Sequence, residues 1–270
     1  MKCLDRGNGS PLIVANRLCK TYRQTRWLLR QNFSIKSLDQ VSLIIPRGSI
    51  LALVGESGSG KSTLARCLAL LERPNEGQIW LEGENLLTLP KGRARRARQQ
   101  IQLIVQDPAT ALNPRFTAAD VVAEPLEIQQ QGTRSERHEQ ALRLMEQVGL
   151  SSEWGDRLPL EFSGGQRQRL AIARALAMRP RVLILDEVFS GLDVPLQAQI
   201  AGLLVQVKKR WGLTYLLISH DLGLVCDIAD EVAVLCQGRL VEQGATEKVL
   251  AAPEHPHTRA LVSATLTFHL

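Results

Sequence analysis

What this 270-residue chain has little of narrows its class before any motif is read. No uninterrupted apolar run reaches the ~18 residues a membrane-spanning helix needs, so no segment is expected to cross a bilayer as a helix. The stretch from Met1 to Ser10 carries no apolar core of the secretory kind, and the expectation is a chain without a leader. Five cysteines, Cys3, Cys19, Cys67, Cys226 and Cys236, include no Cys-x-x-Cys pair. Scattered in this way, two of them inside apolar periodic segments, they are predicted to be small buried hydrophobes in a reducing compartment. Charge is only moderately one-sided, with 33 Lys and Arg against 27 Asp and Glu, a net +6. Such an excess suits an acidic membrane surface or nucleic acid, and equally a protein that handles polyanionic small molecules. The length admits one large domain or a domain with appendages.

What is present centres on residues 55–63, Gly55-Glu56-Ser57-Gly58-Ser59-Gly60-Lys61-Ser62-Thr63. Four residues separate Gly55 from Gly60, and Lys and Ser follow directly. The apolar run Ile50 to Val54 before it predicts a buried parallel strand, and Lys61 to Leu71 after it has helical spacing. Strand, loop and helix in that order form a phosphate cradle: glycines let backbone N–H groups curl around oxygens, and the helix start adds its positive dipole end. Lys61 is then expected to reach the β- and γ-phosphates of a nucleotide, and the Ser62 hydroxyl to ligate Mg²⁺.

In chain order, Pro11 to Ala15 and Leu38 to Ile45 are predicted strands, with Tyr22 between them. An aromatic ring upstream of a phosphate loop can stack on adenine. The segment 24–36 is longer than a hairpin turn needs and is expected to be a surface insertion or short amphipathic piece. Further strands are expected at Gln78 to Glu82 and Ile101 to Val105. The basic run Lys91 to Arg98 is expected to be a solvated helix face, with lipid headgroups or an acidic partner as the functional alternative. Two prolines in Gln106 to Pro114 force a loop. From Thr117 to Leu150 the pattern is helical, which predicts a small helical subdomain inserted into an α/β core.

Ser163-Gly164-Gly165-Gln166 opens another predicted helix with Ser163 as its cap, making a second anion site by the physics of the first. Arg181 to Glu187 is a predicted buried strand ending in two carboxylates. Beside a phosphate loop, Asp186 is expected to hold Mg²⁺, and Glu187 to orient or deprotonate the attacking water. Ser190 to Asp193 forms a polar turn before a helix at 194–211, and the strand Thr214 to Ser219 delivers His220 to the same strand ends. A final hairpin is predicted at Glu231 to Leu235 and Arg239 to Glu242.

This ordered set resembles the ATP-binding cassette (ABC) ATPases over nearly the whole chain: Tyr22, the loop 55–63, Gln106, the Ser163 to Gln166 signature, Val182 to Glu187, Ser190 to Asp193, and His220. The resemblance implies an α/β fold, a P-loop NTPase (RecA-like) core with an antiparallel β subdomain and an inserted α-helical subdomain at about 90–165. The ATPase domain would occupy 1–252. It also implies ATP and Mg²⁺ as ligands, and a head-to-tail dimer with ATP between the phosphate loop of one subunit and the signature of the other. By that resemblance Tyr22 stacks on adenine, Gln106 touches Mg²⁺ or water while signalling to a partner, Glu187 is the general base, His220 contacts the γ-phosphate and Asp193 links the two sites. The partner in the dimer would be a second copy or a paralogue.

A narrower resemblance rests on Val105-Gln-Asp-Pro-Ala-Thr-Ala-Leu-Asn-Pro-Arg115 and on His255-Pro-His-Thr-Arg-Ala-Leu261 in the tail 253–270. Both are similar to the ATPase subunits of bacterial oligopeptide, dipeptide and nickel importers. That implies a peripheral subunit on the cytoplasmic face of the inner membrane, beneath a transmembrane permease fed by a periplasmic or extracellular solute-binding protein, with no nucleic acid partner. The chain departs from that pattern at His257, usually Tyr, and at Glu187-Val-Phe-Ser190, usually Glu-Pro-Thr-Ser. It also lacks the C-terminal cysteine cluster of some members. These departures bear on cargo and leave the ATPase chemistry untouched. His255 and His257 are too few for a metal site and are expected to pack the tail. The coupling surface is expected at 106–160, with Asp107 and Leu112 as positions whose substitution would uncouple transport. A soluble ATPase of a non-transport assembly, such as a phosphonate carbon–phosphorus lyase system, would share every motif. A nucleic-acid role lacks a second cassette or a long arm, and a small-molecule kinase would have no use for 163–166.

Overall fold

The computed structural model of the chain describes residues 10–26, 31–106 and 111–266. In chain order the strands are β1 (Pro11–Arg26), β2 (Gln31–Pro46), β3 (Ile50–Val54), β4 (Glu76–Leu81), β5 (Glu84–Asn85), β6 (Ile101–Ile104), β7 (Val182–Asp186), β8 (Thr214–Ile218), β9 (Glu231–Cys236) and β10 (Arg239–Ala245). The helices are α1 (Lys61–Leu68), α2 (Lys91–Gln100), α3 (Ala118–Ile128), α4 (Arg134–Gln147), α5 (Gly164–Leu176), α6 (Val194–Trp211), α7 (Leu222–Ile228), α8 (Thr246–Ala251) and α9 (Pro256–Leu266). They form two compact units, Met1–Ala94 with Asp221–Leu270, and Arg95–His220.

The first unit contains an antiparallel sheet of order β2-β1-β4-β5, and beside it strands β10, β9 and β3, with β3 parallel to β9. Every residue of β3 is buried, as its unbroken apolar run requires. Within the segment 24–36, residues 24–26 and 31–36 continue β1 and β2 as a paired ribbon, with Gln24 opposite Phe33 and Arg26 opposite Gln31, and residues 27–30 lie outside the described residues. The pairing joins residues up to fifteen positions apart in the chain, which local pattern does not show. The tail follows from Glu242, whose carboxylate accepts the N–H groups of Glu254 at 3.0 Å and His255 at 3.1 Å just before α9. Leu261 and Val262 of α9 then pack on the cluster of Ala52, Val54, Val225, Val234 and Val249. His255 Nδ1 accepts the His257 N–H at 3.1 Å, and no metal-binding group of His, Cys, Asp or Glu occurs among the described residues.

In the second unit β6, β7 and β8 run parallel in the order β8-β7-β6, with Ile104 opposite Leu185 and Asp186 opposite Ile218. Around them α3, α4 and α5 pack on one another. Of α2 only Ala97 is buried, so the basic run is the solvated helix it was expected to be. α6 begins with Asp193 as cap and Pro195 in its first turn, and it ends on Gly212 in the left-handed conformation after Lys208, Lys209 and Arg210. The cysteine expectation holds in part: Cys19 and Cys67 are buried, Cys226 is exposed, and Cys3 lies outside the described residues. None of the described residues forms a helix long and apolar enough to cross a membrane.

Tyr215 in β8 is 1% exposed, and its hydroxyl donates to the Leu204 carbonyl of α6 at 2.9 Å. Burial pushes its phenol far above the ordinary value, so it stays a neutral donor at every working pH. Tyr215→Phe is expected to cost about 0.5–1.5 kcal/mol of stability. Urea unfolding checks this as a lower midpoint at unchanged slope.

Candidate functional site

The first unit builds the phosphate loop. β3 ends at Val54, the chain turns through Gly55, Gly58 and Gly60 at φ of 148°, 79° and 108°, and α1 starts at Lys61. Neighbouring backbone leaves no room for side chains at two of these turns: a Cβ on Gly55 would run into the Leu235 carbonyl oxygen, and one on Gly60 into that of Ser37. Gly60 caps α1 without any side-chain acceptor, so the first N–H groups of the helix are not consumed by a capping side chain. Lys61 is 6% exposed, and its ammonium folds back across the loop to donate to Gly55 O at 2.7 Å and Glu56 O at 2.8 Å. Ser59 Oγ is buried and unpartnered. Glu56, Ser57 and Gly58 are exposed, Ser62 is half-buried and Thr63 buried.

Tyr22, half-buried in β1, donates a hydrogen bond from its hydroxyl to the Glu72 carboxylate, and the Lys20 ammonium lies 5.3 Å from its ring centre. Glu72 also pairs with Arg66 at 2.6 Å. This set was not legible in the sequence, since Glu72 and Tyr22 are 50 residues apart and no local pattern joins them.

In the second unit, parallel pairing brings the C-terminal ends of β6, β7 and β8 to one sheet edge. Gln106, exposed, follows β6; Asp186 and Glu187, both half-buried, end β7; and His220, exposed, follows β8 one residue after the buried Ser219. Glu187 sits at φ 50°, its N–H donates to Ile218 O at 3.1 Å, and its carbonyl accepts the Ser190 N–H at 3.0 Å. A left-handed turn at a non-glycine residue costs on the order of 1–3 kcal/mol, and such positions concentrate at working sites.

The same unit brings the signature and Asp193 together. Ser163 and Gln166 form a reciprocal cap on α5: Ser163 Oγ accepts the Gln166 N–H at 3.3 Å, and Gln166 Oε1 accepts the Ser163 N–H at 2.9 Å. Gly165 is buried, and a Cβ on it would stand 2.5 Å from Leu196 Cδ1 in the first turn of α6. Asp193 caps that turn, accepting the Leu196 N–H at 2.9 Å. Leu196 is thus a supporting residue that motif reading did not find.

At the expected coupling surface Leu112 is 3% exposed, and Arg174 donates to the neighbouring Ala111 carbonyl at 3.3 Å while pairing with Glu124 at 2.7 Å. Asp107 lies outside the described residues.

Comparisons with known proteins agree with this geometry. The family model described as ABC transporter matches residues 38–190. The dipeptide transport ATP-binding protein DppF of Haemophilus influenzae is 44% identical over 256 residues, 95% of this chain and 78% of that protein. A putative peptide import ATP-binding protein of Brucella ovis is 46% identical over 255 residues, 94% of this chain and 78% of that protein. Among solved structures, the dimeric post-hydrolysis state of the ATP-binding cassette MJ0796, bound to ADP and Pi, superposes with a TM-score of 0.75 at 27% identity, covering 87% of this chain and 98% of that one.

Gly60→Ala is expected to destabilise the protein well beyond Gly58→Ala. Both carry the cost of a positive φ, about 1–2 kcal/mol, but a Cβ at Gly58 meets open space whereas one at Gly60 meets the Ser37 carbonyl. Thermal unfolding of the two variants side by side checks the order.

Proposed function

The chain belongs to the ABC transporter family, and we propose that it is the ATP-hydrolysing subunit that energises an importer of peptides or a related small solute through a separate membrane permease. Its fold is that of an α/β P-loop NTPase, and its activity is ATP hydrolysis. The observation that carries the reading is the buried Lys61 ammonium held over the loop carbonyls at 2.7 and 2.8 Å, at the start of a helix whose cap has no side chain. A cation so placed, beside N–H groups that no capping side chain satisfies, fits a polyphosphate. The names of the curated relatives favour peptides as cargo, and they set the non-transport alternative aside.

In this reading each site residue has a task. Lys61, the amides of 55–60 and the hydroxyls of Ser59 and Thr63 bind the phosphates, and Tyr22 stacks on adenine. Ser62, Gln106 and Asp186 supply oxygen donors alone, with no thiolate or imidazole among them, which is the donor set of a hard cation such as Mg²⁺. Bound Mg²⁺ would neutralise charge on the phosphate oxygens. Glu187 takes the proton of the attacking water, His220 contacts the γ-phosphate, and the Ser163 to Gln166 signature grips the γ-phosphate of a nucleotide bound by a second ATPase subunit, with Asp193 linking the two sites. The partners are that second subunit, a copy or paralogue, and a permease served by a solute-binding protein, which places this chain on the cytoplasmic face of the membrane. The surface at 106–160 couples it to the permease.

A positioned general base contributes about 10²–10⁴ in rate. Glu187→Gln is therefore expected to keep ATP binding and to hydrolyse at least ~100-fold more slowly; near-normal turnover would remove Glu187 from that role. Affinity purification of the tagged chain from gently solubilised native membranes tests the transport half. A polytopic permease and a sister ATPase are the expected companions, and recovery of soluble enzymes alone would overturn the importer assignment.

A further inference from the structure

The cluster around Tyr22 has chemistry that phosphate binding and hydrolysis do not use. Glu72, in the turn between α1 and β4, accepts a hydrogen bond from the Tyr22 hydroxyl, pairs with Arg66 at 2.6 Å and stands 3.6 Å from Lys20 Nζ. Burial pushes its carboxyl upward, but the Tyr22 hydrogen bond and the Arg66 and Lys20 charges outweigh this and hold it below the usual range. Lys20 donates to Arg73 O at 2.9 Å and occupies one face of the Tyr22 ring. With that face covered by a cation and the polar end tied to a carboxylate, the ring has a single face left for a flat ligand.

The backbone beside Tyr22 does not need this cluster. Thr21 N–H donates to Asn75 Oδ1 at 2.7 Å, and Asn75 N–H donates to Cys19 O at 2.8 Å, which together tie β1 to the turn after α1. What remains unfixed once the backbone is tied is the side-chain rotamer. A tyrosine at a half-buried site loses rotamer entropy on meeting a ligand unless something holds it beforehand.

We propose that Glu72 is a positioning residue for base recognition: through the Tyr22 hydroxyl it pre-sets the ring, with Lys20 behind it, so that the open face meets adenine without reordering. The inference rests on the reading that Tyr22 stacks on adenine, and it adds the residue that orients the stack. The ion pair with Arg66 at 2.6 Å aims the Glu72 carboxylate, so the device extends from α1 to β1.

Four single variants and one double variant test both layers, with calorimetric ATP affinity, KM, kcat and melting temperature measured for each. Tyr22→Ala removes the ring and is expected to raise KM for ATP about 10-fold or more. Tyr22→Phe keeps the ring and the Glu72–Arg66 pair but cuts the tie; it and Glu72→Ala are each expected to raise KM about 3- to 10-fold with kcat unchanged. Glu72→Gln, whose amide oxygen can still accept from the hydroxyl, is expected to recover most of the affinity. Combining Tyr22→Phe with Glu72→Ala should be no worse than Glu72→Ala alone. If Tyr22→Ala raises KM while Tyr22→Phe does not, Glu72 has no positioning role. If Tyr22→Ala leaves KM unchanged, the stacking reading itself falls. Because Glu72→Ala also leaves Arg66 unpaired and can weaken the fold, Tyr22→Phe is the deciding variant.

Discussion

The protein is built around a stretch of backbone that has no space for side chains. At Gly55 and Gly60 the loop between β3 and α1 lies against the carbonyls of Leu235 and Ser37, residues far away in the chain. The contact is reciprocal, because Gly238 N–H donates to Ser59 O at 2.9 Å and Asp39 N–H donates to Gly238 O at 2.8 Å. The middle of β2, the β9–β10 turn and the loop therefore brace one another. Lys61 completes the arrangement by placing its charge over the loop carbonyls instead of in solvent, an unusual location for an ammonium unless an anion is its destination.

The second unit solves a different problem, placing several polar groups at one edge without burying them unpaired. Parallel pairing of β6, β7 and β8 does this with the least chain, since every strand's C-terminal end reaches the same side. Alternation would send Asp186 and Glu187 to opposite faces of a regular strand. The left-handed conformation at Glu187 breaks that alternation just where β7 ends, and the hydrogen bond from its N–H to Ile218 O fixes the break against the neighbouring strand. The strain is local, and its position between an acid and a buried Val188 is where a re-aimed carboxylate is useful.

Contiguous chemistry was legible in the sequence; chemistry assembled from distant residues was not. The loop 55–63, the acids ending β7, the cap at Ser163 and the helix at 194–211 follow from local spacing, because backbone conformation and helix capping are local physics. The pairing of 24–26 with 31–33 was not legible because it is fixed by register between two strands and not by a local motif. The burial of Leu112 was not legible, because a leucine in a proline-bounded loop looks the same exposed or buried and only packing separates the cases. Cys226 departs from its expected burial for the same reason, lying on the open side of a short helix. Glu72 could not be found at all, since its role depends on a strand 50 residues earlier.

The two glycines of the signature separate what the chain explains by itself from what it does not. Gly165 is required by internal packing: Leu196 fills the space a Cβ would take. Gly164 has no such reason. A Cβ there would meet nothing within 4 Å, and its φ is not positive, so alanine would fit and would favour the helix by about 1 kcal/mol. Gly92 and Gly202 share this openness, so what sets Gly164 apart is its place as the first residue of a helix, directly after the cap Ser163. A phosphate fits the capped start of α5, because only a bare backbone lets oxygens reach the first N–H groups. In the proposed dimer the exposed Ser163 and Gly164 would face a nucleotide held by a second subunit, and packing within the single chain puts no such demand on Gly164.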